Sequence, residues 1–549
     1  MPPVERAVTD VPPKSVDPTR PLRRRPWLLA AVAAPLLFAA YLLISRQLGV
    51  NSDGASNALQ AREMLDGNVL LSGWTVTDVS FYTNELLLFM LVELVYGFHG
   101  DTTHATAALV FTLVVLLVAA AAKGRATGRE AAARIGVAVA IVAVPALGHA
   151  AITLLTSPDH TGTAIPLLAT WLVLERARPG RGLPVVIAVM LAWAQIADPL
   201  VMYIGVLPLM LVSGWRAWRG RSWRGPDARL VLAGAGSVVL AQVTLVLLRA
   251  AGGFGAHAAE AKLAELSSLG RHAWLGVRVV AVNYGAYPPD RHGPLDTFMS
   301  AFHLVGLLAA ATALVVVVAR ALRRPAGEPG DRLAELAAVG VLVNLGAFVV
   351  SALPTDLLSA RQVVAVLPLG AVLAGRVWGP RLATLPRAAP VAAAVAVLLA
   401  AELAGHAAAR GAPGHAEDVA EWLDGRGLRY GLGEYWNANN ITLLTSGRVA
   451  VRPVVAGDRV AAYRWESKVD WYDAATHDAT FLVLDTRVPG ARAEAVATAQ
   501  FGAPAERHEF DGAVVLVYRK DLLAGLPAYC VPETVPDIRD CPSHGVALF

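Results

Sequence analysis

Phe81-Tyr-Thr-Asn-Glu-Leu-Leu-Leu-Phe-Met-Leu-Val-Glu-Leu-Val-Tyr-Gly-Phe98 is nearly apolar enough and nearly long enough to cross a bilayer. A crossing needs roughly 20 apolar residues, and this run carries two acids, Glu85 and Glu93. Glu85, Phe89 and Glu93 recur at i, i+4 and i+8, so one stripe of a helix is acidic. The spacing predicts a helix lying in the membrane interface with that stripe solvated, rather than a span with lipid on all sides; a stripe facing a cavity is the alternative. The topology turns on this reading, because counting the segment as a span would reverse the side of every later loop.

Outward from it, apolar runs of spanning length lie at 26–50, 104–122, 131–153, 161–175, 183–197, 199–214, 229–250, 298–319, 333–353, 362–378 and 388–405, eleven in all. Arginine placement tests the count. Lys123/Arg125/Arg129, Arg176/Arg178/Arg181, Arg216/Arg219/Arg221/Arg224, Arg320/Arg323/Arg324 and Arg376/Arg381/Arg387 occupy alternate loops. With eleven spans all five clusters share the side of Arg20, Arg23, Arg24 and Arg25, which sets that side as cytoplasmic. The first run is too long for a cleaved signal core and reads as a signal anchor. The N-terminal tail, residues 1–25, is then inside and Pro-rich, and the region after the last span is outside.

The composition agrees: 549 residues, 55% hydrophobic, 16% charged and a mean hydropathy of +0.50 exclude a soluble protein of this length. A net charge of +4 and pI near 9.1 raise nucleic acid as a partner. The confinement of arginines to short loops between apolar runs argues against it. Residues 406–549 change character, with acids, arginines and tryptophans interspersed. Helical patterns at 416–425 and 491–500 and β-rich runs at 449–455, 480–484 and 513–518 predict a small α/β domain. Cys530 and Cys541, the only cysteines, lie in its tail and read as a local disulfide in an oxidising exterior. The expected fold is therefore mainly α: a polytopic helical bundle (26–405) of about eleven transmembrane and two juxtamembrane helices, with an extracytoplasmic α/β domain (406–549).

Soluble catalytic signatures are missing: no GxSxG elbow, P-loop, HExxH or CxxC occurs. Chemistry must then come from polar residues on the outer side. The first outer loop opens with Asn51-Ser-Asp-Gly54, starting an amphipathic helix to about Asp66. Asp53 there is a carboxylate at a bilayer mouth, either a general base or the helix N-cap. Asp159-His160 in the second loop either bind a metal or sugar hydroxyl or form a turn. Asp198, beside Trp193, Gln195 and Pro199, marks a site or a tight hairpin with Pro199 opening the next helix. The fourth loop, 271–296, is basic and reads as solvated. Arg361, at the outer end of a span, either binds phosphate or snorkels to lipid headgroups.

Asn51-Ser-Asp-Gly54 after the first span, the two juxtamembrane helices, Ser359-Ala-Arg-Gln-Val-Val-Ala-Val-Leu-Pro368 and the closing domain with Tyr430-Gly-Leu-Gly-Glu-Tyr-Trp436 together resemble the GT-C superfamily of membrane glycosyltransferases. That superfamily uses polyprenyl-phosphate sugars and includes the protein O-mannosyltransferases and lipid A aminoarabinose transferases. The resemblance implies a base carboxylate in the first outer loop, a role that falls to Asp53. Many members have an acidic pair there, and this chain has Asp53-Gly54.

The residue types fit an inverting transfer. A carboxylate takes the acceptor hydroxyl proton as the oxygen attacks the anomeric carbon from the face opposite the leaving group. The lipid phosphate leaves, and Arg361 is the candidate to hold it by permanently charged, bidentate hydrogen bonds. Asp159, His160 and Asp198 are the remaining substrate-binding candidates. A divalent metal is compatible with the site but not required by it. The expected partners are a polyprenyl-phosphate-linked sugar, membrane lipid and a glycan, lipid or protein acceptor, in the cytoplasmic membrane of a bacterium. A transporter or flippase of a lipid-linked intermediate is the rival class, although no paired halves with interrupted helices are visible. A non-catalytic envelope-assembly protein is the other.

Overall fold

A computed structural model describes residues 26–526, apart from 146–147, 157–159, 257–261, 288–292, 326–327, 329, 410, 412–413, 458 and 488–491. Cys530, Cys541 and Asp159 therefore lie outside the described residues, as do Arg291 and His292.

The chain opens with α1 (Pro26–Ser45), α2 (Ser52–Leu65), a short strand β1 (Trp74–Val76) and α3 (Glu85–Tyr96). The bundle continues through α4 (Asp101–Lys123), α5 (Gly128–Val142), α6 (His149–Leu155), α7 (Ala164–Arg176) and α8 (Leu183–Ala197). A π-helical turn, Met202–Val206, runs into α9 (Leu207–Arg219), followed by α10 (Pro226–Ala250), β2 (Gly255–Ala256) and α11 (Leu269–Asn283). Then come α12 (Pro294–Arg323), α13 (Arg332–Val350), a 3-10 turn (Leu357–Val363) meeting α14 (Val366–Thr384) at 58°, and α15 (Ala388–Ala408). α4, α10, α12, α13 and α15 are each long and apolar enough to cross a membrane, and the bent pair makes a sixth. This is a mainly helical, polytopic membrane fold.

Small residues set the closest packing, as expected where lipid supplies no hydrophobic drive between helices. On α14, a Cβ at Gly375 would lie 2.6 Å from Arg134 O, and one at Gly379 2.7 Å from Arg134 Cα, both on α5. The core grows from there, with Phe111, Leu155, Trp171, Leu191 and Leu373 all buried.

Three sequence readings change in detail. The run 131–153 is two helices, α5 and α6, interrupted around Pro145, which cannot donate to a helix ladder. The loop read as basic and solvated contains α11, with His272 buried against Val349 O at 3.3 Å. In α3 the acidic stripe exists, but it points inward: Glu85, Phe89 and Glu93 are buried, while Leu91, Leu94 and Val95 are 51%, 70% and 82% exposed. An apolar outer face is what lipid favours, so the stripe turns to the protein and not to water.

After α15 the chain forms α16 (His415–Gly425), β3 (Tyr430–Glu434), α17 (Tyr435–Leu444), β4 (Ala450–Ala456), β5 (Val460–Ala462), β6 (Ser467–Lys468), β7 (Phe481–Asp485), α18 (Ala493–Phe501), β8 (Glu506–Phe510) and β9 (Ala513–Val517). Six of the strands make one sheet in the order β5-β4-β3-β7-β9-β8, with β3 parallel to both β4 and β7. β6 is elsewhere. It pairs antiparallel with β1, and β1 pairs parallel with β2, so a three-stranded sheet joins two loops of the helical bundle to the C-terminal region.

Candidate active site

Asn51, not Asp53, caps α2: its side chain accepts from Gly54 N at 2.8 Å. Asp53 is thereby left in the first turn, where the helix dipole favours its charge, and it is half-buried. Its Oδ1 accepts a hydrogen bond from the Tyr435 hydroxyl, which also lies 2.5 Å from Glu466 Oε2. Tyr435 reaches it because α17 starts directly off strand β3, a junction held by Asp485 N donating to Glu434 Oε2 at 2.6 Å. The Ser52 hydroxyl donates to Tyr435 O, and Ser56 and Asn439 both reach Glu466 O at 3.4 Å. Burial, then the charges of Glu466 and Asp53, push the Tyr435 phenol well above its ordinary range, so it keeps its proton.

The acid missing beside Asp53 has a steric reason here. A Cβ at Gly54 would lie 3.1 Å from both Asn51 Oδ1 and Thr156 O, so a longer side chain has little room. The second carboxylate near Asp53 comes instead from Glu466, about 400 residues along the chain, by way of Tyr435.

Thr156 ends α6 and begins the segment that touches the other candidates. His160, with φ +64°, places Nδ1 2.7 Å from Asp198 Oδ2, which also accepts from the Thr163 hydroxyl; Leu200 N donates to Asp198 Oδ1 at 2.8 Å. Burial alone would raise the Asp198 carboxyl, but His160 and these donors outweigh it and hold it below the usual range. Asp198 is 1% exposed and spends its oxygens on the protein; any contact with a substrate in this arrangement goes through His160. Glu85 abuts the same loop: a Cβ at Gly162 would sit 2.3 Å from Glu85 Oε1, and Asn84 donates to Gly162 O at 2.9 Å. Both Glu85 oxygens are buried and accept no hydrogen bond of sound geometry from the described residues. Burial, followed by the Asp198 charge, pushes Glu85 up to about 8.

Arg361 is exposed on the 3-10 turn before α14. Its backbone is pinned on both sides, because Asn283 of α11 donates to Ala360 O at 2.9 Å and Asn344 of α13 to Gln362 O at 3.1 Å. The turn also meets the His160 loop: Val364, Ala365 and Pro368 line one small cavity with His160 and Thr161. Thr156 and residues 160–163 thus touch Gly54, Glu85, Asp198 and the chain just past Arg361. Beside them, a largely apolar groove of about 420 Å³ runs between α2/α3 and α8/α10, bordered by Tyr82, Thr83, Leu87, Trp193 and Leu248. Among the described residues no three His, Cys, Asp or Glu are grouped to hold a metal ion.

Sequence reasoning missed Tyr435 and Glu466, and gave the inward turn of Glu85 only as the alternative. Tyr435 sits in a quoted motif, but nothing local distinguishes it from a core aromatic. Glu466 carries no local signal beyond its crowding with Tyr463, Arg464 and Trp465.

Comparison with solved structures shows a likeness of fold. The likeness is to ArnT, the aminoarabinose transferase of Cupriavidus metallidurans. The structure of ArnT bound to undecaprenyl phosphate aligns with a TM-score of 0.52 and 17% identity, over 89% of this chain and 97% of ArnT. Its apo state aligns over the same shares at 0.54 and 16%. The Archaeoglobus fulgidus oligosaccharyltransferase, solved with zinc and sulfate, aligns at 0.45 and 13% over 83% of this chain and 68% of that one. No family model and no curated protein matches the sequence.

Proposed function

We propose that this protein is a membrane glycosyltransferase that moves a sugar from a polyprenyl-phosphate carrier to an acceptor at the outer face of the cytoplasmic membrane. The topology that goes with it has eleven crossings of residues 26–405, a cytoplasmic tail of residues 1–25 and an extracytoplasmic domain of residues 406–549, with Cys530 bonded to Cys541. The carrying observation is the position of Asp53 in the first turn of α2, relieved of capping by Asn51 and oriented by the Tyr435 hydroxyl.

In this reading Asp53 takes the proton of the acceptor hydroxyl while that oxygen attacks the anomeric carbon, inverting it. The glycosidic C–O bond breaks, its electron pair stays with the lipid phosphate, and Arg361 stabilises the charge that collects there. Asn283 and Asn344 hold the backbone of the turn that carries Arg361. His160 lines the acceptor side, with Asp198 fixing the imidazole, and Asp159, next to it in sequence, is assigned to the same acceptor. The apolar groove beside α2 and α3 has the character an isoprenoid chain needs. The fold and its ArnT likeness support the class of donor, ArnT having been solved with undecaprenyl phosphate.

The test is transfer by purified protein from a polyprenyl-phosphate-linked sugar to an endogenous lipid or glycan fraction. Asp53→Asn is expected to lower the rate by about 10²–10⁴-fold, the usual worth of a general base, with an unchanged melting temperature. Transfer at the parental rate by a folded Asp53→Asn protein overturns the proposal.

A further inference from the structure

α10 packs on α8 and α9 with one face, and only 28% of its apolar window is buried within the chain. On that inward side Leu240, Thr244 and Leu248 border the apolar groove. On the far side Leu232, Ala235, Val239, Gln242 and Val246 follow one another at alternate steps of three and four residues, and all five are exposed. That spacing is the seam of a helix that packs along its length against another helix.

Gln242 is what sets this face apart from ordinary lipid-facing surface. It lies seven residues, about 10 Å, from Arg249 and thirteen, about 20 Å, from Arg229, so its amide sits at hydrocarbon depth. A primary amide left among lipid tails forfeits its hydrogen bonds to water and gains none. Elsewhere in the bundle such groups are served within the chain. The Thr112, Thr244 and Thr312 hydroxyls donate to carbonyls four residues earlier, Gln195 Nε2 donates to Ser237 Oγ at 3.0 Å, and Asn344 donates to Gln362 O. Among the described residues Gln242 makes no hydrogen bond.

We infer that this face of α10 is a self-association surface, on which a second copy of the chain packs its own α10 with the two Gln242 amides bonded across a twofold axis. Copies inserted by the same arginine pattern cross the bilayer in the same direction, so their helices pair in parallel and equivalent seam positions meet. An amide carries both a donor and an acceptor, so identical glutamines satisfy one another, which a glutamine facing an apolar helix could not. Ala235 lets the backbones approach, as small residues do at membrane helix interfaces. Because the seam lies across α10 from Leu240, Thr244 and Leu248, pairing leaves the groove open on its own side. The inference stands on α10 and does not depend on the function proposed above.

Two measurements on the full chain in phospholipid membranes test it. Energy transfer between copies labelled on the N-terminal tail should rise with the ratio of protein to lipid. Gln242→Leu should need about five- to tenfold more protein for the same signal. Leucine is more apolar than glutamine, so this variant still inserts, and its melting temperature should match that of the parent. Oxidative cross-linking then fixes the face. Val239→Cys and Val246→Cys should each give a disulfide-linked dimer, whereas Leu247→Cys, as exposed as Val246 but turned about 100° from it, should not. Energy transfer absent from the parent at every ratio, or unchanged in Gln242→Leu, overturns the inference. So does cross-linking at Leu247 that equals that at Val246. A Val246→Cys chain that cross-links in its native membrane only to a protein of different mass overturns the second copy as the occupant.

Discussion

The two ends of the helical bundle handle charge in opposite ways. At the end away from the C-terminal sheet, Arg376 is buried and fully engaged: it meets both Glu175 oxygens at 2.7 and 2.8 Å, Asp331 at 2.6 Å and Ala121 O at 2.7 Å. Glu335 there is clasped by Arg216 and Arg324. At the end nearer the sheet, two acids crowd one phenol, Glu85 is buried with neither oxygen accepting a good hydrogen bond, and His160 and Glu466 hold positive φ. Balanced buried charge ties α4, α7, α13 and α14 together, whereas a buried carboxyl such as that of Glu85, with neither oxygen accepting a sound hydrogen bond, is costly to stability. On the function proposed above, the first end is scaffold and the second holds the site.

Substitutions can break or sharpen that contrast. The largest effect is expected for Arg376→Ala, which strands Glu175 and Asp331 and should cost about 3–5 kcal/mol of stability in detergent melts; a melting temperature like the parent's would remove the scaffold half of the contrast. Arg361→Ala should do the reverse, lowering the rate of transfer by about 10²–10³-fold while the protein melts normally. Equal losses of stability in both variants would merge the two ends. Asp198→Ala lies between the classes: Leu200 N–H and the Thr163 hydroxyl lose their acceptor, for about 1–3 kcal/mol by thermal unfolding. A larger loss of transfer than stability explains would move Asp198 into the site proper.

The smallest effect is expected from Glu85→Gln and depends on pH. The Glu85 value of about 8 lies above its ordinary 4.5, so the folded protein keeps this proton where the unfolded chain has lost it. Its contribution to stability therefore falls as pH rises from about 4.5 to about 8 and is flat beyond. The amide cannot ionise, so the variant should out-melt the parent above pH 8 and converge with it toward about pH 5. A difference independent of pH would show that the carboxyl is not held protonated.

Much of the architecture was legible because membrane helices announce themselves by length and apolarity: the expected runs fall on helices, although among the described residues only five of these, or six with the bent pair, are long and apolar enough to cross a membrane against the eleven expected. The exceptions have local causes. Pro145 breaks one run, and α11 is amphipathic and charged, so it lacks the continuous apolarity that a search for spans detects. The strands at 449–455, 480–484 and 513–518 appear as β4, β7 and β9 because their β-branched runs fill a buried sheet. The surroundings of the candidate residues were not visible. Asp53, His160, Asp198 and Arg361 stand out as polar residues at the ends of apolar helices, where charge is costly. Whether such a residue caps, snorkels or reacts depends on what faces it, and that information lies far along the chain.

By itself, then, the sequence determined that this is a polytopic helical membrane protein with a mixed C-terminal region, because hydrophobic periodicity and arginine placement are local properties a bilayer reads directly. Only the tertiary structure decided that α3 turns its glutamates inward, that Asn51 frees Asp53 from capping, and that Tyr435 and Glu466 complete the surroundings of Asp53. Those outcomes depend on which surfaces meet across nearly 400 residues of chain, and no window of sequence contains both partners.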